Sequence, residues 1–569
     1  MQRKFISIIM ILSLFFLMAM SVQSQTDEVP RNRTFIAGHF QLFNAGDMWS
    51  PYNLGGTHQQ LNQFFYEPLA YADNLNGNEY PWLAESWEYN EDATELTYNL
   101  REGIFWSDGE PFTAEDVAFT LNTLRDLGSE VRNGGVYPVF VNEAVVVDDL
   151  TVTVKFNVPS PRFHNEVIAA KGDSATYIVA EHIWSDVNWA EYTAWNDGAG
   201  PVTTGPWRVA FADERRRVID SVRDCDAWWA CATGFQELPE VERMTYVVIE
   251  TSQSQGTALI NNELDETHDV SVEVVEQMLV QNPNATTWTG REGPYGMISW
   301  WPTSLWMNNT DAHLGKVEVR QAINRYLDRE LIADFAFNNQ AVVAEWPFPP
   351  YAGLQPTMDN LEALRAEYNL LGYNPDEADQ ILTDAGYAKD GEGFWADASG
   401  DRITCEIIGI PQVADLGPVV AEILRQSGID SSYEQPADFT DRYFGGTYEC
   451  AFFGHAGSQS GDIYQTLTLY VTGNAGNYSL YSNPEFDAIV TELEQAADLE
   501  TVRALELEAM EIWMRDLPEI PLFQFFNRVG RNTTYWTNFP STENPYMNGI
   551  SPHTGFAYIV LQLEATGAE

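Results

Sequence analysis

Lysine is almost missing from this chain: 569 residues hold only Lys4, Lys155, Lys171, Lys316 and Lys389. Arginine supplies the remaining positive charge, and 83 acidic residues against 30 basic ones leave a formal net charge of −53. A field of that sign repels phosphate backbones and anionic membranes, so nucleic acid is excluded as a partner. Its plainest consequence is hydration and solubility of an exported protein. Cysteine is scarce too, with four residues, and no Cys/His spacing resembles a zinc site, so neither metal nor cofactor is expected. Internal repeats and low-complexity tracts are missing as well. Beyond the N-terminus no long apolar run occurs, which excludes a polytopic membrane protein.

What is present begins with Gln2-Arg3-Lys4, a positive n-region, followed by the apolar run Phe5 to Val22. This reads as a secretory signal peptide over 1–24, with cleavage after Ser24 and Val22 at the −3 place. The alternative is an uncleaved anchor, since the run approaches the ~20 residues a spanning helix needs. No Cys follows it, which argues against a lipoprotein. A secreted, periplasmic or cell-surface protein is expected, soluble and monomeric. The length calls for two to four domains, and the apolar share of 44% is that of a globular chain. Outside the cytoplasm disulfides are permitted. Four cysteines allow three connectivities. Cys225 and Cys231 flank a short closable loop, while Cys405 and Cys450 lie in two strand-like runs, so the pairs Cys225–Cys231 and Cys405–Cys450 are expected.

The stretch from Tyr80 to Leu124 is locally the most structured. Leu96, Tyr98 and Leu100 alternate with polar residues as in a half-buried strand. The turn-rich segment 106–112 follows. Thr113 is then placed as an N-cap, with Glu115 and Asp116 in the first turn and Val117, Leu121 and Leu124 on one helical face. Further on stands the segment Thr-Thr-Gly-Pro-Trp-Arg-Val, Thr203 to Val209. Val319, Ala322, Ile323, Tyr326 and Leu327 form an amphipathic stripe in a long helix over 319–337. A second helix has Asn374 as cap, Pro375 at its first position and Gly386 past its end. Near the end stands the segment Leu-Pro-Glu-Ile-Pro-Leu-Phe-Gln-Phe-Phe over 517–526.

In this order and over more than 400 residues, these segments resemble the extracellular solute-binding proteins of family 5 of bacterial ABC importers. The resemblance implies an α/β, two-lobed periplasmic-binding-protein-like fold with mixed sheets, an additional inserted domain and a ligand cleft between the lobes. The first lobe would be discontinuous: 33–64, 201–303 and 545–569. Residues 65–200 would form the inserted domain. Residues 304–544 would form the second lobe, entered through the strand 303–310. The partners implied are a small oligomeric ligand and the permease subunits in the membrane, with no catalysis by this chain.

Enzymatic readings are weaker. A secreted glycoside hydrolase needs two carboxylates across a cleft, and among 83 acids any pair can be imagined. Gly457-Ser458-Gln459-Ser460-Gly461 has the letters of a nucleophile elbow, but no helix is evident directly after it. Lys389 to Gly393 lacks the ligand order of a calcium loop and reads as a polar turn. Arg215-Arg216-Arg217 is expected to neutralise carboxylates on a hairpin.

Peptide-binding members of the family resemble one another in a Gly-Trp-x-x-Asp segment whose Asp pairs with the peptide ammonium. Here His455 stands at the Trp place and Ser458 at the Asp place, with Asp462 four residues on as a possible substitute. An unpaired buried ammonium is costly, so a neutral oligosaccharide is favoured, bound by indole stacking and amide hydrogen bonds. The oligopeptide is the alternative. The chain has 18 Trp, of which Trp82, Trp87 and Trp106 read as scaffold. The resemblance places Trp49, Gln59, Trp300, Trp301, Trp346, His455, Ser458, Gln459 and Asp462 at the cleft.

Overall fold

The computed structural model describes residues 29–44, 46–56, 61–170, 175–454, 457–459, 461–548, 551 and 553–569. The expected signal peptide, Gln59 and His455 lie outside these residues.

The chain enters through β1 (Thr34–His39), which is buried nearly throughout. It then leaves to build a separate antiparallel sheet from β2 (Ala84–Tyr89), β3 (Glu95–Leu100), β4 (Val141–Asp148) and β5 (Thr151–Phe156), in the order β2-β3-β5-β4. Leu96, Tyr98 and Leu100 all point into its core, as their alternation predicts. Helix α1 (Ala114–Leu127) covers that face. Thr113 and Asp116 form a reciprocal capping box, and Val117, Leu121 and Leu124 are buried. Trp82 and Trp106 are buried here as scaffold, and Trp87 stacks on His164 at 4.0 Å.

Three further strands, β6 (Trp207–Ala212), β7 (Arg216–Ser221) and β8 (Arg243–Val248), return the chain to β1 in the order β1-β8-β7-β6. β1 and β8 run parallel. Residue 266 bridges to Ala37 on the other side of β1, also parallel. Of the three arginines in the β6–β7 hairpin, Arg215 meets the carboxylate of Glu250. Arg216 lies over Phe211, and Arg217 is buried against Trp49 and the backbone carbonyls of Asn44 and Met48.

β9 (Met297–Met307) then crosses into the five-stranded mixed sheet of the second lobe. The stretch read as one long helix is two, α2 (Val317–Tyr326) and α3 (Arg329–Phe337), because Asp328 caps a new helix by accepting from Leu331 N. After a helix over Gln355–Tyr368 comes α4 (Pro375–Asp384), capped by Asn374 as expected. The lobe is completed by β10 (Thr404–Gly409), β11 (Asp430–Glu434), β12 (Cys450–Phe453), α5 (Leu499–Asp516) and β13 (Glu519–Asn527), with sheet order β11-β10-β12-β9-β13. β10 is parallel to β11 and β12; β9 is antiparallel to β12 and β13.

After β13 the chain leaves this sheet: Arg531–Asn532 pairs with Ala285–Thr286, and Arg531 forms a buried ion pair with Glu266. Both expected cystines are formed, with Cα–Cα separations of 5.1 Å for Cys225–Cys231 and 5.4 Å for Cys405–Cys450. Two large hydrophobic cores result. One joins β1–β8 with residues 536–563; the other lies wholly within residues 305–523. Among the described residues no helix is long and apolar enough to cross a membrane.

Candidate functional site

Between the two cores run β9 and β13, and their pairing is irregular where they cross. Ile298 opposes Phe526 and Pro302 opposes Gln524, so Ser299, Trp300 and Trp301 stand against Phe525 alone. Such a bulge breaks the ladder and re-aims side chains. Trp300 swings towards the first lobe, where its ring lies 4.7 Å from that of His553. Trp301 stacks on Phe525 at 4.1 Å and 14° and lies 6.2 Å from Phe453. Gly454 makes this possible, since a Cβ there would fall 1.5 Å from Trp301 Cε3. Both indoles keep exposed surface.

The first lobe presents the carboxyl ends of its parallel strands to this crossing, the place where open α/β sheets bind ligands. His39 ends β1, and His268 and Asp269 follow the strand-like segment beside it. The His39 and His268 rings are 5.5 Å apart. Burial holds both imidazoles below the ordinary histidine range, and it pushes His553 down to about 3. All three are therefore neutral. Burial raises Asp269 to about 6, although Asn527 Nδ2 donates to its Oδ2 at 3.2 Å.

From the second lobe comes the loop after β12. Gln459 Oε1 accepts from Asn74 Nδ2 at 2.6 Å, across the seam with the domain of β2–β5. Ser458 and Thr466 bond each other twice, Ser458 N to Thr466 Oγ1 at 2.8 Å and Thr466 N to Ser458 Oγ at 3.0 Å. A helix begins only at Tyr464, so the serine does not sit at the mouth of a strand–helix elbow. Glu506 fixes the loop from below by accepting from Ile463 N at 2.9 Å.

Several buried polar atoms around this junction make no hydrogen bond among the described residues: His39 Nε2, Asn74 Oδ1, Asp269 Oδ1, Ser299 Oγ, Gln524 Oε1 and Asn527 Oδ1. Each such atom costs about 1–3 kcal/mol when left unpaired. Most buried polar groups in native proteins are satisfied, so a group of exceptions needs a reason. Such atoms occur elsewhere in both cores too, but these six come from segments that flank the crossing or the seam, and most are neutral amide, hydroxyl or imidazole atoms. A polar ligand entering between the lobes would satisfy them.

The expected site residues thus separate. Trp300 and Trp301 stand at the crossing, while Ser458 and Gln459 lie on the loop after β12, tied to Thr466 and Asn74. Trp300 and Trp301 lie within the crossing strand, not before it. Trp49 does not line a pocket: it is fully buried, with Arg217 4.4 Å from its ring centroid, Phe65 at 5.1 Å and its indole N–H given to Gly46 O. Trp346 is likewise interior, stacked on Phe348 in the second core. Asp462 is taken up by an ion pair with Arg162 at 2.5 Å. Asn74, His268, Asp269, Gln524, Asn527 and His553 were missed because their neighbours come from distant segments.

A family model described as bacterial extracellular solute-binding proteins, family 5, matches residues 78–478. The chain belongs to that family. It is the solute-binding subunit of an ABC importer, a transport binding protein. The periplasmic oligopeptide-binding protein OppA of Salmonella typhimurium is 22% identical to this family 5 chain over 504 residues, covering 84% of this chain and 85% of OppA. The nickel-binding periplasmic protein of Escherichia coli is 24% identical over 408 residues, 67% of this chain and 69% of that protein. Among solved structures, the mannohexaose-bound periplasmic oligopeptide-binding protein of Thermotoga maritima superposes with a TM-score of 0.76 at 25% identity, over 95% of this chain and 100% of that one. The two-lobed α/β architecture is thereby shown.

Proposed function

We propose that this family 5 protein captures a neutral, polyhydroxylated oligomer, an oligosaccharide, in the cleft at the β9–β13 crossing and delivers it to a permease. The observation that carries this reading is the engagement of Asp462. The acid nearest the family's ammonium-anchoring position is held by Arg162 at 2.5 Å, and the position itself is Ser458. The remaining lining suits sugar: indole faces for CH surfaces and amides for hydroxyls. The mannohexaose bound by the Thermotoga maritima neighbour supports it further.

An oligopeptide remains the second reading, and one observation favours it. Asp269 offers a buried carboxylate whose Oδ1 accepts no hydrogen bond among the described residues, with Asn527 and Arg528 beside it, and a peptide ammonium would pair with it. The matched relatives include peptide carriers. A melting-temperature screen against manno-, cello- and xylo-oligosaccharides and mixed peptides separates the two, because a ligand that binds only the folded state raises the midpoint. Stabilisation by peptides alone would contradict the sugar reading.

For the domain division we propose 33–64 and 201–303 for the first lobe and 65–200 for the inserted domain. The return to the first lobe is proposed near residue 528 in place of 545, because Arg531 pairs with Glu266 and Asn532 with Ala285. We further propose export by the N-terminal signal peptide. Binding would proceed by hinge closure, with β9 and β13 as the crossing segments.

A further inference from the structure

Two of the unpaired oxygens around the crossing belong to one hydrogen-bonded pair of side chains. Asn527 Nδ2 donates to Asp269 Oδ2 at 3.2 Å. The other oxygen of each group, Asp269 Oδ1 and Asn527 Oδ1, is out of solvent and makes no hydrogen bond among the described residues. Asp269 comes from the first lobe, directly after His268, and Asn527 ends β13. Asn527 is buried, whereas Asp269 keeps part of its surface exposed, so the pair borders accessible space. Both leftover atoms are acceptors: an ionised carboxylate only accepts, and Asn527 turns its amide nitrogen towards Asp269.

The strand sets this pair beside the aromatic platform. The extra residues of the bulge lie on β9, so β13 keeps its pleat, and Phe525 and Asn527 stand on one face, about 7 Å apart along the strand. Phe525 carries Trp301, stacked at 4.1 Å. Both rings are partly exposed, so an apolar surface open to solvent adjoins the two acceptors. Arg528 follows directly. Its Nη2 donates to Gln340 O at 3.0 Å, while its Nε makes no hydrogen bond among the described residues. Its positive charge, which stabilises the Asp269 carboxylate, opposes an ammonium there. A hydroxyl fits better, because it donates to a carboxylate and accepts from a neighbouring donor at once.

We propose that Asp269 and Asn527 form a two-acceptor subsite for adjacent hydroxyls of the sugar ring lying on or next to Trp301, and that this pair selects the ligand by hydroxyl configuration. The subsite rests on the oligosaccharide reading and sharpens it. Stacking on Trp301 accepts any pyranose with a flat CH face, whereas two fixed acceptors accept only hydroxyls that point at both. A sugar whose hydroxyls point elsewhere leaves buried oxygens unpaired, and that penalty separates it from its epimer. Asn527 is also a positioning residue, since its amide nitrogen holds the Asp269 carboxylate in place.

Calorimetric titration of the full-length mature protein with mannohexaose, cellohexaose and xylohexaose of one linkage tests this. The first two differ only in the configuration of one hydroxyl per ring, and wild type is expected to separate them by about tenfold or more. Asp269→Asn keeps an oxygen for Asn527 and turns the free acceptor into a donor. It is expected to weaken the preferred hexaose by about tenfold or more and to bring the two affinities together. Asn527→Ala, which removes the other acceptor, is expected to act in the same direction. Trp301→Ala is expected to weaken both hexaoses and leave their ratio. Equal binding of mannohexaose and cellohexaose by wild type, or either acceptor variant folded by circular dichroism with wild-type affinities, overturns the subsite and leaves the sugar reading standing. A wild type that binds none of the three hexaoses overturns the sugar reading, and the subsite with it.

Discussion

Trp229 donates its indole N–H to Glu67 Oε2 at 2.8 Å, and Trp228 donates to the other carboxylate oxygen at 3.3 Å. The two tryptophans lie inside the loop closed by Cys225–Cys231, and Glu67 lies 158 positions before Cys225 in the chain, so the cystine loop clamps a distant segment. Burial raises the Glu67 pKa above the ordinary carboxylate value in spite of these donors. Glu67→Ala leaves buried indole donors unpaired and is expected to destabilise the protein by about 2–4 kcal/mol. Glu67→Gln, which still offers an acceptor, is expected to cost less. Denaturant unfolding of the two variants beside wild type checks the order.

Histidine burial gives a pH dependence of defined sign. His553 is held down to about 3 in the folded state, whereas the unfolded chain titrates near 6.5. Its effect is absent above about pH 6.5; below that the unfolded chain alone takes up the proton, and stability falls progressively towards pH 3. His39 and His268, also lowered by burial, act in the same direction. Asp265 and Asp269, both raised to about 6 by burial, act oppositely, adding stability as pH falls from about 6 to the unfolded value near 3.9. His553→Gln is therefore expected to lose less of its melting temperature between about pH 7.5 and 4.5 than wild type. An identical loss in both proteins would contradict the assignment.

Gly454 controls Trp301 sterically. An added Cβ falls 1.5 Å from the indole, so Gly454→Ala must displace that ring or the backbone beneath it. The expected outcome is a tenfold or greater loss of ligand affinity, about 1.4 kcal/mol. Trp301→Ala should match or exceed that loss. Equilibrium titration with the best ligand of the melting screen reads both, and unchanged affinity in both variants rules out Trp301 as a binding surface.

The two cystines should differ in weight. Cys405–Cys450 closes a sequence separation of 45 and Cys225–Cys231 one of 6. Loop-closure entropy gives about 4 kcal/mol for the former and about 2 kcal/mol for the latter. Paired Cys→Ser variants are expected to lose melting temperature in that order.

What the sequence disclosed was mostly local. The strand with Leu96, Tyr98 and Leu100, the Thr113 capping box and the Asn374-Pro375 helix start depend on neighbours within a few residues, and each was readable. The break between α2 and α3 was readable in principle from Asp328, an N-cap residue inside an apparently continuous stripe. Partners far apart in the chain were not. The bulge that re-aims Trp300 and Trp301 depends on register with Phe525, more than 200 residues later. Asp462 seemed a candidate anchor because its partner, Arg162, lies 300 residues earlier. Trp49 resembled a platform because nothing local shows that Arg217 covers it.

The chemistry of the captured oligomer is the central claim, and native mass spectrometry of the protein purified with whatever it has bound tests it most directly. The account predicts a retained ligand whose masses form a ladder spaced by anhydro-sugar units and which is lost in Trp301→Ala. A retained ligand that fragments into amino-acid residues would contradict it and would direct attention to Asp269 as the ammonium anchor.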